Sequence, residues 1–457
     1  MSETEVKQEF TENKMGVMPV KKLILTMSLP MMISMLVQAL YNIVDSVFVA
    51  RLSEDALTAV TLAFPMQSLM IALGSGTGVG INALLSRSLG KKDYEEASNA
   101  ANTGILLNVV NYVIFILLGI FAVRPFIHSQ TDNPVIAQYG VTYLTWICLL
   151  SVGIFFQMTF ERLLQSTGMT FESMLSQLTG AIINMILDPM LIFGIGPFPQ
   201  LGVAGAAIAT IFGQVTAACL GLFLNLSRNK EITLSFKGIL HPKARTVSQI
   251  YLVGVPSIAM MSIGSIMTYM MNKILGRFSS TAVAVFGVYF KLQSFFFMPV
   301  FGLNNGMIPV LSFNYGAKNR ERIREAISFS VKFAFCIMAT GTIVFECIPG
   351  ILLKLFDASD NMIATGSVAL RIIAIHFPVA AICISLGSLF QAFAKSTYSL
   401  VVSLARQLIV LIPAAWLLSL LGQVHYVWFA FPIAEAMSLL MTMIFYRRIK
   451  RQIIDTL

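Results

Sequence analysis

The chain has 457 residues, 56% of them hydrophobic and only 12% charged, with a mean hydropathy of +0.79 and a net charge of +9. Soluble domains carry about 25% charged residues, so this composition cannot coat a water-exposed surface and excludes an ordinary soluble domain. Apolar runs such as 106–123, 331–345 and 408–422 approach the ~20 residues that cross a hydrocarbon core, the mark of a polytopic membrane protein.

Residues 1–22 read as a polar cytoplasmic tail, with no basic segment leading into a short apolar core and hence no cleaved signal peptide. Polar clusters then cut the chain into twelve spans, near 23–50, 56–86, 98–122, 136–158, 172–194, 203–227, 248–275, 282–312, 327–348, 362–388, 398–421 and 427–446. The expected fold is an all-α membrane protein. Its twelve transmembrane helices form two pseudo-symmetric six-helix lobes, an N-lobe over 23–227 and a C-lobe over 248–446. A cytoplasmic linker (228–247) joins the lobes and a basic cytoplasmic tail (447–457) follows.

Most of the Lys and Arg residues fall in the N-terminal tail, in the even-numbered connections (among them a short one at Arg162) and in the closing "RRIKRQ". The opposite connections carry Arg51, Arg124, Arg277 and Lys354. Basic loops stay inside, so both termini are expected in the cytoplasm. The positive charge is then a matter of topology, with anionic lipid as its partner and no nucleic acid.

A repeat underlies the spans. A shift of 226 positions lays Pro30 on Pro256, Arg51 on Arg277, Phe64 on Phe290, Ser86 on Ser312, Gly90 on Gly316 and Gln165 on Gln391. With six spans in each half, both halves enter the bilayer in the same sense. Parallel repeats of this kind occur in secondary transporters, with the substrate path between them.

Several features read as structural. "GSGTGVG" (74–80) follows no strand and lacks the Lys-Ser/Thr of a phosphate loop; its small residues suit close helix packing. The five cysteines and four histidines are dispersed, without metal-ligand spacing. No cofactor, nucleophile–base set or zinc site is expected, and the chain is read as no enzyme.

Acids within spans are few, and ionisable groups at such depth cost about 2.5–3.5 kcal/mol and commonly mark a pathway. Glu161 and Glu346 lie near span ends and are read as reaching the interface. Glu435 could pair with Arg406. Asp45 and Asp188 remain. In "INMILDPMLIF" (183–193), Asn184 and Asp188 are four apart and share a helix face, while Pro189 leaves the Met185 carbonyl without its helical donor. In "QALYNIVDS" (38–46), Gln38, Tyr41, Asn42 and Asp45 form a polar stripe, with Pro30 above it as a possible kink. In span six, Ala206 and Thr210 share one face among small residues. Carboxylates, an amide oxygen, a hydroxyl and a backbone oxygen are hard ligands for a small cation. Two neighbouring carboxylates also hold a proton well, because like charges disfavour joint ionisation. The plainer alternative is that Asp188 caps a broken helix and Asp45 bonds across a helix interface; two acids with Asn and Thr partners in one half favour an ion site.

The segments 28–65, "SRSLGKKDYEEA" (86–97), "QSTGMT" (165–170) and 184–210 resemble the multidrug and toxic compound extrusion (MATE) family, and the Asp188 motif is similar to its bacterial DinF-like branch. The resemblance covers nearly the whole chain. It implies two lobes in a V around a cavity that opens to alternate sides, and export of organic, often cationic and aromatic compounds against entry of Na⁺ or H⁺. It also implies a cation site at Asp45, Asn184, Asp188, Ala206 and Thr210, with Na⁺ possible at Asp45, Asn184, Asp188 and Thr210. The family's NorM-like branch adds acids in the second half. Here the shift puts Met271 opposite Asp45 and Ala414 opposite Asp188, so no second cation site is expected. The C-lobe offers Lys273, Lys291, Arg371 and Arg406 instead, of which Lys291 is the expected cavity residue. The reading is an efflux antiporter of the bacterial cytoplasmic membrane, a monomer among lipids acting on drug-like organic compounds. A lipid or lipid-linked sugar flippase is the alternative.

Overall fold

A computed structural model describes residues 13–356 and 358–457. The described residues are all-helical, in two lobes of six spans. The N-lobe holds α2 (Val20–Leu52), α3 (Glu54–Gly90), α4 (Tyr94–Phe121), the short α5 (Val123–His128), a bent pair α6 (Pro134–Leu149) and α7 (Val152–Ser166), then α8 (Thr170–Phe193) and α9 (Val203–Arg228), all preceded by the single turn α1 (Lys14–Val17). After α10 (Phe236–Leu240) in the linker, the C-lobe holds α11 (Ala244–Leu275), α12 (Ser280–Gly316), α13 (Arg320–Cys347), the short α14 (Pro349–Lys354) and the bent pair α15 (Asp360–Ala374) and α16 (Phe377–Ala392). It closes with α17 (Ser396–Leu404), which runs through a π-helical stretch at Ala405–Leu411 into α18 (Ile412–Ser419), then α19 (Val424–Trp428) and α20 (Ala430–Gln452). Among the described residues, ten helices are long and apolar enough to cross a membrane, and the two bent pairs make twelve.

The repeat is visible down to capping atoms. Ser53 and Ser279 cap α3 and α12 through Oγ, accepting from the amides of Ala56 at 3.0 Å and Ala282 at 3.1 Å. Asp93 and Asn319 cap α4 and α13 in the same way. The preceding turns put Lys92 and Lys318 at φ of +60° and +55°, a left-handed conformation uncommon for a bulky residue. The fourth span of each half is broken, by 46° in one and 47° in the other.

One boundary departs from the expectation. Span four does not end near 158 in a connection holding Arg162; α7 continues to Ser166, and both Arg162 and Glu161 are buried within it. "QMTFERLLQ" keeps helical residues throughout, so the polar letters mark a buried face and not a loop. Glu161 therefore does not reach the interface.

The lobes meet where α2 packs along α12 and α3 along α11. Glycine makes this contact possible. A Cβ on Gly76 would stand within 2.9 Å of the Ile258 amide nitrogen, and one on Gly302 within 2.5 Å of Met32 Cα. These are equivalent positions of the two halves, and "GSGTGVG" serves as a helix-packing face. At the end bearing the termini, a Cβ on Gly90 would overlap the Phe313 carbonyl, and one on Gly316 the Arg87 carbonyl. That end is sealed.

Each lobe also holds the lead-in of the other. Arg322 of the C-lobe donates from Nη2 to the carbonyls of Met15 (3.0 Å) and Met18 (2.7 Å), just before α2. Glu96 of the N-lobe accepts from Thr246 Oγ1 at 3.0 Å, at the start of α11. These two positions are related by the same shift of 226. Asn13 adds a clamp, donating to Glu231 at 2.7 Å and to the Thr167 carbonyl at 3.1 Å. Arg322→Ala is expected to remove roughly 1–3 kcal/mol from this seam, the scale of charge-assisted bonds at a half-buried site. A lowered thermal midpoint and faster proteolysis near residue 20 in purified protein would show it; unchanged values would mean that the strap contributes nothing.

Candidate functional site

Close approach of α8 and α9 builds the site. Gly180 and Gly213 face one another, so that a Cβ on either would come within 2.7 Å of the other's carbonyl oxygen, and one on Gly205 would reach 2.5 Å from the Leu191 carbonyl. With no side chain between them, the helices come near enough for Asn184 Nδ2 to donate to Thr210 Oγ1 at 3.2 Å. One turn along α8, Asp188 is fully buried; one turn back along α9, so is Ala206. Across from them, α2 brings the Asp45 carboxyl beside that of Asp188 and sets Tyr41 near Thr210. Residues from three spans thus meet as the sequence pattern suggested.

The hydrogen-bond inventory there is one-sided. Asp45 Oδ1, Asn184 Oδ1 and both oxygens of Asp188 are buried without a donor, the Asn184 amide being committed to Thr210. Buried polar atoms are nearly always satisfied, and carboxylates left bare against each other are costly. A proton shared between the acids, or a small cation among these oxygens, resolves the deficit. The donor set fits Na⁺ in chemistry, being oxygen only. Among the described residues, no group of three or more His, Cys, Asp or Glu could hold a transition metal.

The site opens onto a cavity of about 560 Å³ in the N-lobe, lined by residues of α2, α3, α6, α7, α8 and α9 and by Met298 and Asn305 of α12. This is a volume suited to a drug-sized ligand. The lining mixes Met31, Met35, Phe64 and Tyr143 with a set of amides, and Gln38, Tyr41, Asn42, Asp45, Asn184 and Thr210 all contribute. Gln38 accepts from Gln177 at 3.1 Å, and Gln67 donates to the Tyr143 hydroxyl at 3.2 Å. Asp188 and Ala206 lie behind this wall. Pro30 sits inside α2 just before the lining begins at Met31. The cavity lies towards the end opposite the glycine seal.

Lys291 is not part of this lining. It is exposed on α12, with its ammonium 5.9 Å from the centroid of the Phe356 ring. In the C-lobe, Glu435 and Arg406 do pair, at 3.3 Å, the arginine coming from the π-helical stretch. The cavity floor holds residues that spacing alone could have marked: Gln157, Glu161 and Gln165 recur every four positions on α7 beside Arg162, the same pattern that singled out the stripe on α2.

Comparisons with known proteins agree with this architecture. The MatE family model matches residues 30–190 and 256–417, one match in each lobe. A FAD transporter of Shewanella oneidensis is 27% identical over 424 residues, covering 91% of this chain and 92% of its own. The multidrug export protein MepA of Staphylococcus aureus is 26% identical over 452 residues, 96% of each chain. Among solved structures, a multidrug resistance MATE transporter in an outward-facing conformation superposes with a TM-score of 0.90 over 100% of both chains, at 24% identity. A transporter from Pyrococcus furiosus, described as having a binding pocket of reversed polarity, gives 0.89 over 98% of both chains at 24% identity.

Proposed function

Because the chain belongs to the MatE family, we propose that it exports drug-sized organic compounds from a bacterial cell in exchange for H⁺ or Na⁺ taken up at Asp45 and Asp188. The observation that carries this reading is the cluster of buried acceptor oxygens without donors in the wall of a drug-sized cavity. Binding a cation relieves such a cluster, and its neighbour across the wall is the volume in which substrate would sit.

The cycle follows from differential binding. With both termini in the cytoplasm, the glycine seal faces inward and the cavity outward. In that state the acids take up the ion. Neutralised carboxyls no longer repel, so α2 can close on α8 and α9, with Pro30 as the point where the helix lacks a hydrogen bond and can bend. Closure shrinks the cavity and expels the substrate outward. Release of the ion to the cytoplasm restores the open, anionic cavity, which favours a cationic ligand. Net work requires only that ion and substrate prefer different states. On this reading the protein acts as a monomeric transporter of the cytoplasmic membrane.

Proteoliposomes containing a fluorescent cationic dye test the reading, with H⁺ or Na⁺ gradients imposed separately. One gradient should move dye uphill. If neither moves any dye, while a fluorescent phospholipid crosses the bilayer faster than in protein-free vesicles, the flippase alternative replaces the exporter.

A further inference from the structure

The floor of the cavity carries a cation for which ion-coupled export of cations has no use. Arg162 is 9% exposed and lines the cavity from α7. Its Nη1 donates to Gln165 Oε1 at 2.9 Å and to Asn305 Oδ1 at 3.1 Å, and its Nη2 points at Ser75 Oγ, 3.5 Å away. All three partners are neutral. The adjacent Glu161 is turned to Gln157, whose Nε2 donates to Oε1 at 2.9 Å. Among the described residues, no carboxylate lies within ion-pair distance of this guanidinium. Its counterpart under the 226 shift is Ser388, so the repeat does not explain it either.

Arginine within a span usually finds a carboxylate or a carbonyl partner, because an uncompensated charge there is expensive. Amide and hydroxyl partners hold the guanidinium in place, and Glu161, which attracts it through space, takes its hydrogen bond from Gln157 and leaves the fork without a carboxylate on it. A planar fork so held matches a carboxylate or phosphate through two parallel hydrogen bonds. Room for the stem is provided deliberately: a Cβ on Gly78 would come within 2.7 Å of Arg162 Cγ. The apolar and aromatic lining above the floor suits the body of a flat organic molecule.

We propose that Arg162, with Ser75 and Asn305, forms an oxyanion subsite at the cavity floor that takes the carboxylate or phosphate of a drug-sized aromatic compound. This deepens the exporter reading and rests on it. The substrate range thereby includes anionic and zwitterionic aromatics, the anionic group deepest and any cationic group towards Asp45. Asn305 belongs to the C-lobe, so an anion that takes over its place on Nη1 frees a bond across the lobe interface. Occupation of the floor thus bears on the seam that must part.

Riboflavin and its 5′-phosphate share one aromatic body and differ in a single oxyanion, which makes them a matched pair of probes. Binding to the purified full-length protein in phosphatidylcholine nanodiscs is read from flavin fluorescence. The phosphate ester should bind about tenfold more tightly, the scale of one charge-assisted contact. Arg162→Gln should bring the two affinities together, and Arg162→Lys should keep part of the preference as a point charge without the fork. Equal binding of both flavins to the wild-type protein, no binding of either, or a preference that survives in Arg162→Gln overturns the subsite. The wild-type comparison stands even if a variant fails to fold. A preference abolished by adding phosphatidylglycerol to the discs assigns the oxyanion to a lipid headgroup and overturns a soluble ligand. Driven dye export by the same purified protein reconstituted into proteoliposomes separates the two levels: export without flavin discrimination removes the subsite alone, whereas absence of any driven export removes the exporter reading beneath it.

Discussion

Asp188→Asn is expected to reduce uphill dye export to the level of protein-free vesicles while leaving a folded protein. The substitution keeps the side-chain volume at a fully buried position, so no cavity or clash arises. It also supplies an N–H₂ group where buried oxygens lack donors, so the amide can bond to Asp45 and satisfy the site without an ion. Stability should therefore be unchanged or raised. Coupling is what disappears. Ion–ligand coupling energies of about 1–3 kcal/mol correspond to about 5–150-fold shifts in affinity, and a site that no longer exchanges its ion loses that factor entirely. Asp45→Asn should behave alike, and the double variant should be no worse than either single one, because groups that act as a unit are not additive. Initial export rates under an imposed gradient, with thermal midpoints as the control for folding, give the check. Driven export by Asp188→Asn at the wild-type rate would make the acid structural.

Gly90→Val should have an equally large effect by a mechanical route. The Cβ alone would overlap the Phe313 carbonyl, a backbone atom that cannot swing away, and Gly316 makes the reciprocal contact with the Arg87 carbonyl. Overpacking of this kind costs about 1–3 kcal/mol or more. Here the strain falls on the seal between the lobes and not on either lobe's core, so the protein should fold with its seal wedged. Export should fall about 5- to 30-fold, the rate equivalent of the lower half of that range. A cysteine placed at the neighbouring Ser86 should gain reactivity towards a membrane-impermeant thiol reagent added from the cytoplasmic side. Gly287→Ala is the control, since a Cβ there meets nothing within 4 Å. If Gly90→Val and Gly287→Ala transport equally well, α3 and α12 do not seal the protein.

Most of the architecture was legible in the sequence because the bilayer restricts the choices. Long apolar runs, loop charge and one gapless shift sufficed for twelve spans in two lobes. The acids were legible too, since Asp188 stands in an apolar window and Asn184 lies four residues away. Arg162 was misread for an equally physical reason: beside Glu161 and close to a turn, charge density resembles a loop, and only the three-dimensional packing of α7 against Gly78 and Asn305 shows it to be buried. The strap formed by Met15, Met18 and Arg322 was not legible at all. Its bonds run to backbone carbonyls some 300 residues away, and carbonyl acceptors leave no trace in residue identity. The placement of Lys291 beside Phe356 likewise depends on which way one face of α12 turns, which a weakly amphipathic helix does not declare.

In the proposed cycle, ion and substrate compete through Asp45 and Asp188. The most direct measurement of that competition is the affinity of the purified protein for a fluorescent cationic dye, titrated at fixed ionic strength against increasing H⁺ and, separately, Na⁺. Dye affinity should fall as one of these ions rises in the wild-type protein, and should be indifferent to it in Asp188→Asn. Dye bound equally well at every concentration of both ions, in wild type and variant alike, would contradict the account.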